Sequence, residues 1–198
     1  VKILEIWTDG GCRKPNPTVG TGIGGWGFWI PDFFSLKSYG YSGKTTNNIM
    51  EMTAIFEALK VIVKATNRGQ LNDYDTIVIK SDSAYCINTF NEWIYKWIRK
   101  GTLTEKKNWE LIYSIFILMK YLRAAEWKIK FNKVPGHCGV LGNETADKLV
   151  NIAMDDVISN PVPKSMFGKI DRTASSFADE YFTDDEDKKW FINIFNNI

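Results

Sequence analysis

The sequence predicts an α/β fold, a mixed sheet with helices packed on it, and three observations carry that reading. Residues 1–41 hold three aromatic and β-branched runs parted by turn residues, the pattern of an antiparallel meander. From Asn47 the apolar period becomes helical, and strand-like and helical segments then alternate, which implies crossovers and parallel pairing. At 198 residues and 44% hydrophobic content, the chain can bury a core as one domain with a segment appended.

Val1–Thr8 reads as the first strand, ending at Asp9-Gly10-Gly11, and a loop with Pro15 and Pro17 follows. Gly22–Ile30 and about Phe33–Tyr41 are the next two strands, turned by Pro31-Asp32. Gly20–Gly25 fits the spacing G-x-G-x-x-G, but it leads into an aromatic strand. A dinucleotide site needs a helix there, so that reading fails. Met52, Ile55, Phe56, Leu59, Ile62 and Val63 mark a helix from Asn47 to about Thr66. Thr76–Lys80 is a short buried strand, and Ser81-Asp82-Ser83 opens another helix. Asn108–Leu122 is helical, Glu126–Val134 a strand, and Asn143–Val157 a helix with Asn143 as its N-cap. Pro161 and Pro163 end the core domain, expected over residues 1–158. An extension over 159–198 carries the run Asp184–Asp187 and a short amphipathic helix with Trp190, Phe191, Ile194, Phe195 and Ile198 at helical spacing.

Composition narrows the partners. No signal peptide or membrane-spanning run is evident, so membrane association is not expected. Cys12, Cys86 and Cys138 have no zinc-ligand pattern and read as reduced thiols of a cytoplasmic protein. Residues 1–150 carry an excess of Lys and Arg and the remainder an excess of Asp and Glu, so the body suits a polyanion.

Four carboxylates carry the chemical reading. Asp9 and Asp82 close strands expected to be neighbours, about 4.8 Å apart, at the carboxyl edge where open sheets bind ligands. Either alone could be ordinary turn chemistry. Glu51 heads the helix stripe of Ile55, Ala58 and Ile62 that should face the sheet, where a glutamate is costly unless paired. Asp147 lies at the edge of the apolar face formed by Ala146, Leu149, Val150 and Ala153. Clustered carboxylates repel unless protonated or bridged by cations, and an oxygen-only set favours Mg²⁺ or Mn²⁺ over zinc. With a basic body, this suggests phosphodiester hydrolysis assisted by two ions. The only histidine, His137, sits in a glycine-rich loop within the stretch Val134–Leu149.

Four ordered blocks, TDGGC, TTNNIMEMTAIFEAL, SDSAYCINTFNEWIYKWIRKG and VPGHCGVLGNETADKL, resemble type 1 ribonuclease H. The resemblance implies a ribonuclease H-like, five-stranded mixed sheet flanked by helices, and endonucleolytic hydrolysis of the RNA strand of an RNA–DNA hybrid duplex. By position, Asp9, Glu51, Asp82 and Asp147 match the carboxylates that hold two Mg²⁺ ions, with Mn²⁺ a possible substitute. Asp9 would bridge both, Asp147 would belong with the ion that activates water, and Glu51 and Asp82 with the other. His137 matches a mobile-loop histidine that relays protons and helps product leave.

Substrate contacts follow from the same resemblance. Asn16, Asn47 and Asn48 are similarly placed to minor-groove contacts, and Thr46 to a residue holding a phosphate of the DNA strand. Trp93, Lys96, Trp97, Arg99 and Lys100, with Lys106 and Lys107, resemble a basic handle, here shortened before Trp109. Ala84 departs from the polar residue many bacterial members have two positions after the third acid. A monomer is expected, with a possible protein partner through residues 184–198. Two further readings stay open: a hybrid-binding module of this fold without catalysis, and another nuclease of the same fold such as an integrase or resolvase.

Overall fold

In the computed structural model, which describes residues 1–13, 22–159 and 189, five strands form one mixed sheet. They are β1 (Ile3–Arg13), β2 (Gly22–Ile30), β3 (Leu36–Thr45), β4 (Thr76–Ser81) and β5 (Lys128–Lys133), in the order β3-β2-β1-β4-β5. The meander β1-β2-β3 is antiparallel, and β1-β4-β5 are parallel neighbours. The helices are α1 (Asn47–Asn67), α2 (Ala84–Asn88), α3 (Ile94–Lys100), α4 (Trp109–Ala124) and α5 (Leu141–Ser159). A single π-helical turn over Thr89–Trp93 joins α2 to α3.

Strand alternation sorts the layers. On β1, Gly10 meets the first turn of α1, so Leu4, Ile6 and Thr8 share the α1 side. Gly11 meets Val150 of α5, so Trp7 and Asp9 share the other. The first layer is the main core: Leu4, Ile6, Ile77 and Ile79 of the sheet pack with Ile55, Leu59 and Ile62 of α1 and Ile115 and Leu118 of α4, all fully buried. α5 covers the opposite face over β1, β2 and β3. No helix among the described residues is long and apolar enough to cross a membrane.

Several boundaries differ from the sequence reading. β1 does not stop at Thr8: its ladder with β2 continues through Cys12↔Gly24 and Arg13↔Ile23, so Asp9 lies within a strand and not at its end. The parallel ladder with β4 does stop, at Trp7↔Lys80. Asp9 therefore sits where β1 and β4 part company, and Asp82 is the first residue past β4. β3 starts at Leu36 because Phe34 and Ser35 turn through positive φ, 53° and 47°. α5 starts at Leu141, with Glu144 N–H donating to the Val140 carbonyl, so Asn143 is inside the first turn and is not the N-cap. The expected helix near the C-terminus and the acidic run lie outside the described residues.

One contact fixes the relation of α1 to the sheet. A Cβ on Gly10 would lie 2.2 Å from the Glu51 nitrogen and 2.2 Å from the Met50 carbonyl carbon, both backbone atoms that cannot swing aside. Only a residue without a side chain lets the head of α1 reach β1. Gly10→Ala is therefore expected to cost about 3 kcal/mol or more, as overpacking a rigid contact does. Gly43→Ala, where a Cβ meets nothing within 4 Å, should leave stability unchanged or slightly raised. Urea midpoints of the two variants check this.

Candidate active site

The opening between β1 and β4 gathers carboxylates from three elements. Oxygens of Asp9, Glu51 and Asp82 all lie within 4.8 Å of one another. Asp9 comes from β1, Glu51 from the second turn of α1 against Gly10, and Asp82 from the end of β4. Asp9 and Glu51 are 8% and 5% exposed, so two acids are taken largely out of water. Asp82 and Asp147 are half-buried. Asp147 is not one of the three that close within 4.8 Å, yet its charge from α5 reaches Asp9.

The compensation inside this group is incomplete. Asp9 Oδ1 accepts the Gly10 N–H at 2.8 Å. Glu51 Oε1 accepts from Asn47 Nδ2 at 3.5 Å, while Glu51 Oε2 is buried without a partner. Burial first, then the charge of Asp82, pushes the Asp9 carboxyl up to about 7, against the Gly10 N–H, with Asp147 adding to the rise. Burial first, then Asp9 and Asp82, holds Glu51 well above the usual carboxylate range. A divalent cation answers both needs at once: it is a partner for the bare Glu51 oxygen and a counter-charge for the group. The residues fit such an ion, and the all-oxygen donor set suits Mg²⁺ or Mn²⁺.

Around the opening, the loop after β5 closes on Asp82. Val134 N–H donates to the Ser81 carbonyl at 3.0 Å, pinning the loop's root beside β4. A Cβ on Gly136 would sit 2.6 Å from Asp82 Oδ2, so the loop lies directly against that carboxylate. His137 follows, exposed and in a left-handed conformation at φ 51°. On α5, Asn151 Nδ2 donates to the Asp147 carbonyl at 2.9 Å and to Asp147 Oδ2 at 3.3 Å. Arg13 Nη2 donates to Asn151 Oδ1 at 2.7 Å. The sequence reading missed Asn151 and Arg13. The spacing of Asp147, Asn151 and Asp155 on one helix stripe was a usable signal for the first, and no local signal existed for the second.

Among the described residues, those expected to touch substrate fall in two stretches, the head of α1 and Trp93 to Lys107. Thr46 caps α1, its hydroxyl accepting Ile49 N–H at 3.4 Å. Asn47 turns its amide to Glu51, and Asn48 is exposed. Asn16 lies outside the described residues. Trp93 and Trp97 are half-buried with centroids 6.0 Å apart, and Lys106 Nζ stands 5.6 Å from the Trp97 ring. Lys96 is ion-paired with Glu92 one turn earlier. Arg99 and Lys100 are exposed in the last turn of α3, which Gly101 ends at φ 67°. Lys107 is exposed too.

The RNase H family profile matches residues 2–155. The chain is 39% identical over 159 residues to the ribonuclease H of Ruthia magnifica subsp. Calyptogena magnifica, covering 78% of this chain and 97% of that one. It is 34% identical over 166 residues to the ribonuclease H of Bordetella avium, covering 80% and 94%. Among solved structures, LC11-RNase H1, isolated from compost, superposes with a TM-score of 0.58 at 25% identity, covering 80% of this chain and 99% of that chain. The same protein in complex with an RNA/DNA hybrid gives a TM-score of 0.55 at 24% identity, covering 78% and 99%.

The raised acids make a prediction for the metal-free protein. A carboxyl whose folded pKa lies above its unfolded value binds its proton more tightly in the native state. Its stabilising effect is whole below the unfolded value and is lost as pH rises through the folded one. For Asp9 that window runs from its ordinary 3.8 to about 7. With chelator present, the Tm advantage of Asp9→Asn over the parent should grow from about pH 4 to pH 7. Mg²⁺ added at pH 8 should shrink that advantage by stabilising the parent. Scanning calorimetry across this range, with and without Mg²⁺, measures both.

Proposed function

The chain belongs to the ribonuclease H family and hydrolyses the RNA strand of RNA–DNA hybrids; we propose that it does so endonucleolytically, with two divalent ions held by Asp9, Glu51, Asp82 and Asp147. The supporting observation is the three-acid opening with its bare, buried Glu51 oxygen. Asp9, central to the group and sensed by both Asp82 and Asp147, would contribute to both ions. Glu51 and Asp82 would complete one and Asp147 the other. When bound, Mg²⁺ or Mn²⁺ lowers the pKa of water and stabilises charge on the leaving oxygen.

The chain's own groups then divide the work. Asp9 and Glu51, anchored on β1 and α1, fix the place where a phosphate can sit. Water oxygen adds to phosphorus as the bond to the ribose 3′-oxygen breaks, leaving 5′-phosphate and 3′-hydroxyl ends. His137, exposed on its loop beside Asp82, exchanges a proton with the reacting phosphate or with water and eases product release. Thr46, Asn48 and Asn16 read the two backbones, and Asn47 shares this task with its hold on Glu51. Asparagine amides suit the 2′-hydroxyls of a wide, shallow minor groove and carry no base preference. Arg99 and Lys100, with Lys96 beside them and Trp93 and Trp97 as a base, grip phosphates on the handle, so affinity falls with salt.

The three free thiols suit a reducing, cytoplasmic setting. We also propose a catalytic domain over residues 1–158 acting as a monomer, with residues 159–198 as an appended segment that offers a partner-binding stretch at 184–198.

A cleavage assay on RNA–DNA, RNA–RNA and DNA–DNA duplexes, with and without Mg²⁺, tests the activity. Scission of the RNA strand in the hybrid alone, lost in chelator, is the expected result. Cleavage of DNA–DNA would assign the site to another nuclease class, and no cleavage of any duplex would leave only a binding module. Asp9→Asn should abolish turnover at saturating Mg²⁺, whereas His137→Ala should lower it by about 10²-fold or less. Equal losses in both would refute the division between ion-holding and proton-handling groups.

A further inference from the structure

We propose that Asn151, clamped by Arg13, is the positioning residue that aims Asp147 into the site; this rests on the reading of Asp147 as an ion ligand. The geometry is a chain of three side chains joining two elements. Asp147, Asn151 and Asp155 fall four residues apart on one stripe of α5. Asp9, Gly11 and Arg13 alternate onto the same face of β1. Gly11 lets the helix come close, since a Cβ there would already press on Val150 Cγ1 at 3.1 Å. Arg13 then reaches across the seam. Its Nη2 donates to Asn151 Oδ1 at 2.7 Å, and its Nη1 pairs with Asp155.

The polarity of the amide makes this directional. A carboxamide has one accepting and one donating end. With Oδ1 facing the guanidinium, Nδ2 must face the other way, and it lies 3.3 Å from Asp147 Oδ2 and 2.9 Å from the Asp147 carbonyl. A donor on one carboxylate oxygen leaves the other free and fixes the plane of the group. Asp147 lies in the second turn of α5, half-buried and outside the tight trio, so its side chain is the one of the four acids that a partner on its own helix can aim. The clamp also ties it to the strand that carries Asp9. The two acids proposed to share an ion are thus held at a set spacing by one strand, one arginine and one amide.

Mn²⁺ titrated by calorimetry into the full chain without hybrid tests this, alongside hybrid KM and kcat. Asn151→Ala should weaken Mn²⁺ binding roughly tenfold, the lower end for loss of a ligand's outer partner, while the hybrid KM stays within about twofold because no substrate contact is removed. In an Asp147→Asn background the same substitution should have no further effect. Arg13→Gln, at a partly exposed position, should shift Mn²⁺ affinity in the same direction by less, and it stands in if Asn151→Ala does not fold. Unchanged Mn²⁺ affinity in a folded Asn151→Ala, or a loss that persists undiminished in the Asp147→Asn background, overturns the positioning role. If Asp147→Asn itself binds Mn²⁺ as the parent does, the ligand reading of Asp147 fails, and the positioning role fails with it.

Discussion

Two unit charges 4.8 Å apart repel by about 3.5 kcal/mol at an effective dielectric of about 20, and this fold brings three carboxylates within that distance. Their chain positions span β1, α1 and the end of β4, so no local preference holds them there. The main core does. Ile55, Leu59 and Ile62 are fully buried on the stripe that Glu51 heads. Withdrawing Glu51 from the opening would mean pulling α1 off the sheet. Repulsion at the edge is therefore offset by apolar burial beneath it. A residual charge is left that proton or cation can satisfy, and the bare Glu51 oxygen marks where that satisfaction is missing.

The same constraint explains the parting of β1 and β4. Two parallel strands paired to their ends would leave no space for a ligand between Asp9 and Asp82. Here the ladder ends at Trp7↔Lys80 while β1 runs on against β2. Asp9 is thereby held in a regular strand on one side and faces an opening on the other. Gly136 serves the same geometry from above, because its lack of a side chain lets the His137 loop rest on Asp82 without displacing it.

Much of this was legible in the residues. β2 and the start of α1 fall where turn chemistry and period place them. Glu51 on an apolar stripe announced its own inward register. Gly10 and Gly11 look like a turn that ends the strand at Asp9, yet pairing with β2 and close contact with α1 at Gly10 and with α5 at Gly11 give both glycines a place in a strand. Asn143 suits an N-cap by type, but α5 is seeded earlier by the Val140 carbonyl, and the Asn143 side chain is buried instead. At Asn143 a neighbouring carbonyl starts the helix two residues early, whereas at Asp9 a distant partner overrides the local preference. Arg13 is the extreme case, since its partner Asn151 is 138 residues away.

The site divides into a stiff part and a part that depends on α5 and the loop before it. Asp9 and Glu51 are buried in strand and helix and cannot adjust without disturbing the core. His137 and Asp147 sit in an exposed loop and near the start of the helix that follows it. Hydrolysis asks for this split. The phosphate's position must be fixed to about half an ångström, which only packed elements provide. Proton exchange and product release need groups that can approach and withdraw, which only a loop provides. α5 belongs to both parts. Its far turns are clamped to the sheet by Arg13 and by Tyr39, whose hydroxyl meets Asp156 at 3.0 Å. Its first turn continues directly from the His137 loop. The buried first turn, where Gly142 packs on the Trp7 ring, lies before Asp147 and the clamp lies after it, so this acid is held from both sides along α5 and the freedom stops at the His137 loop. Asn151, one turn beyond Asp147, is where that clamp falls.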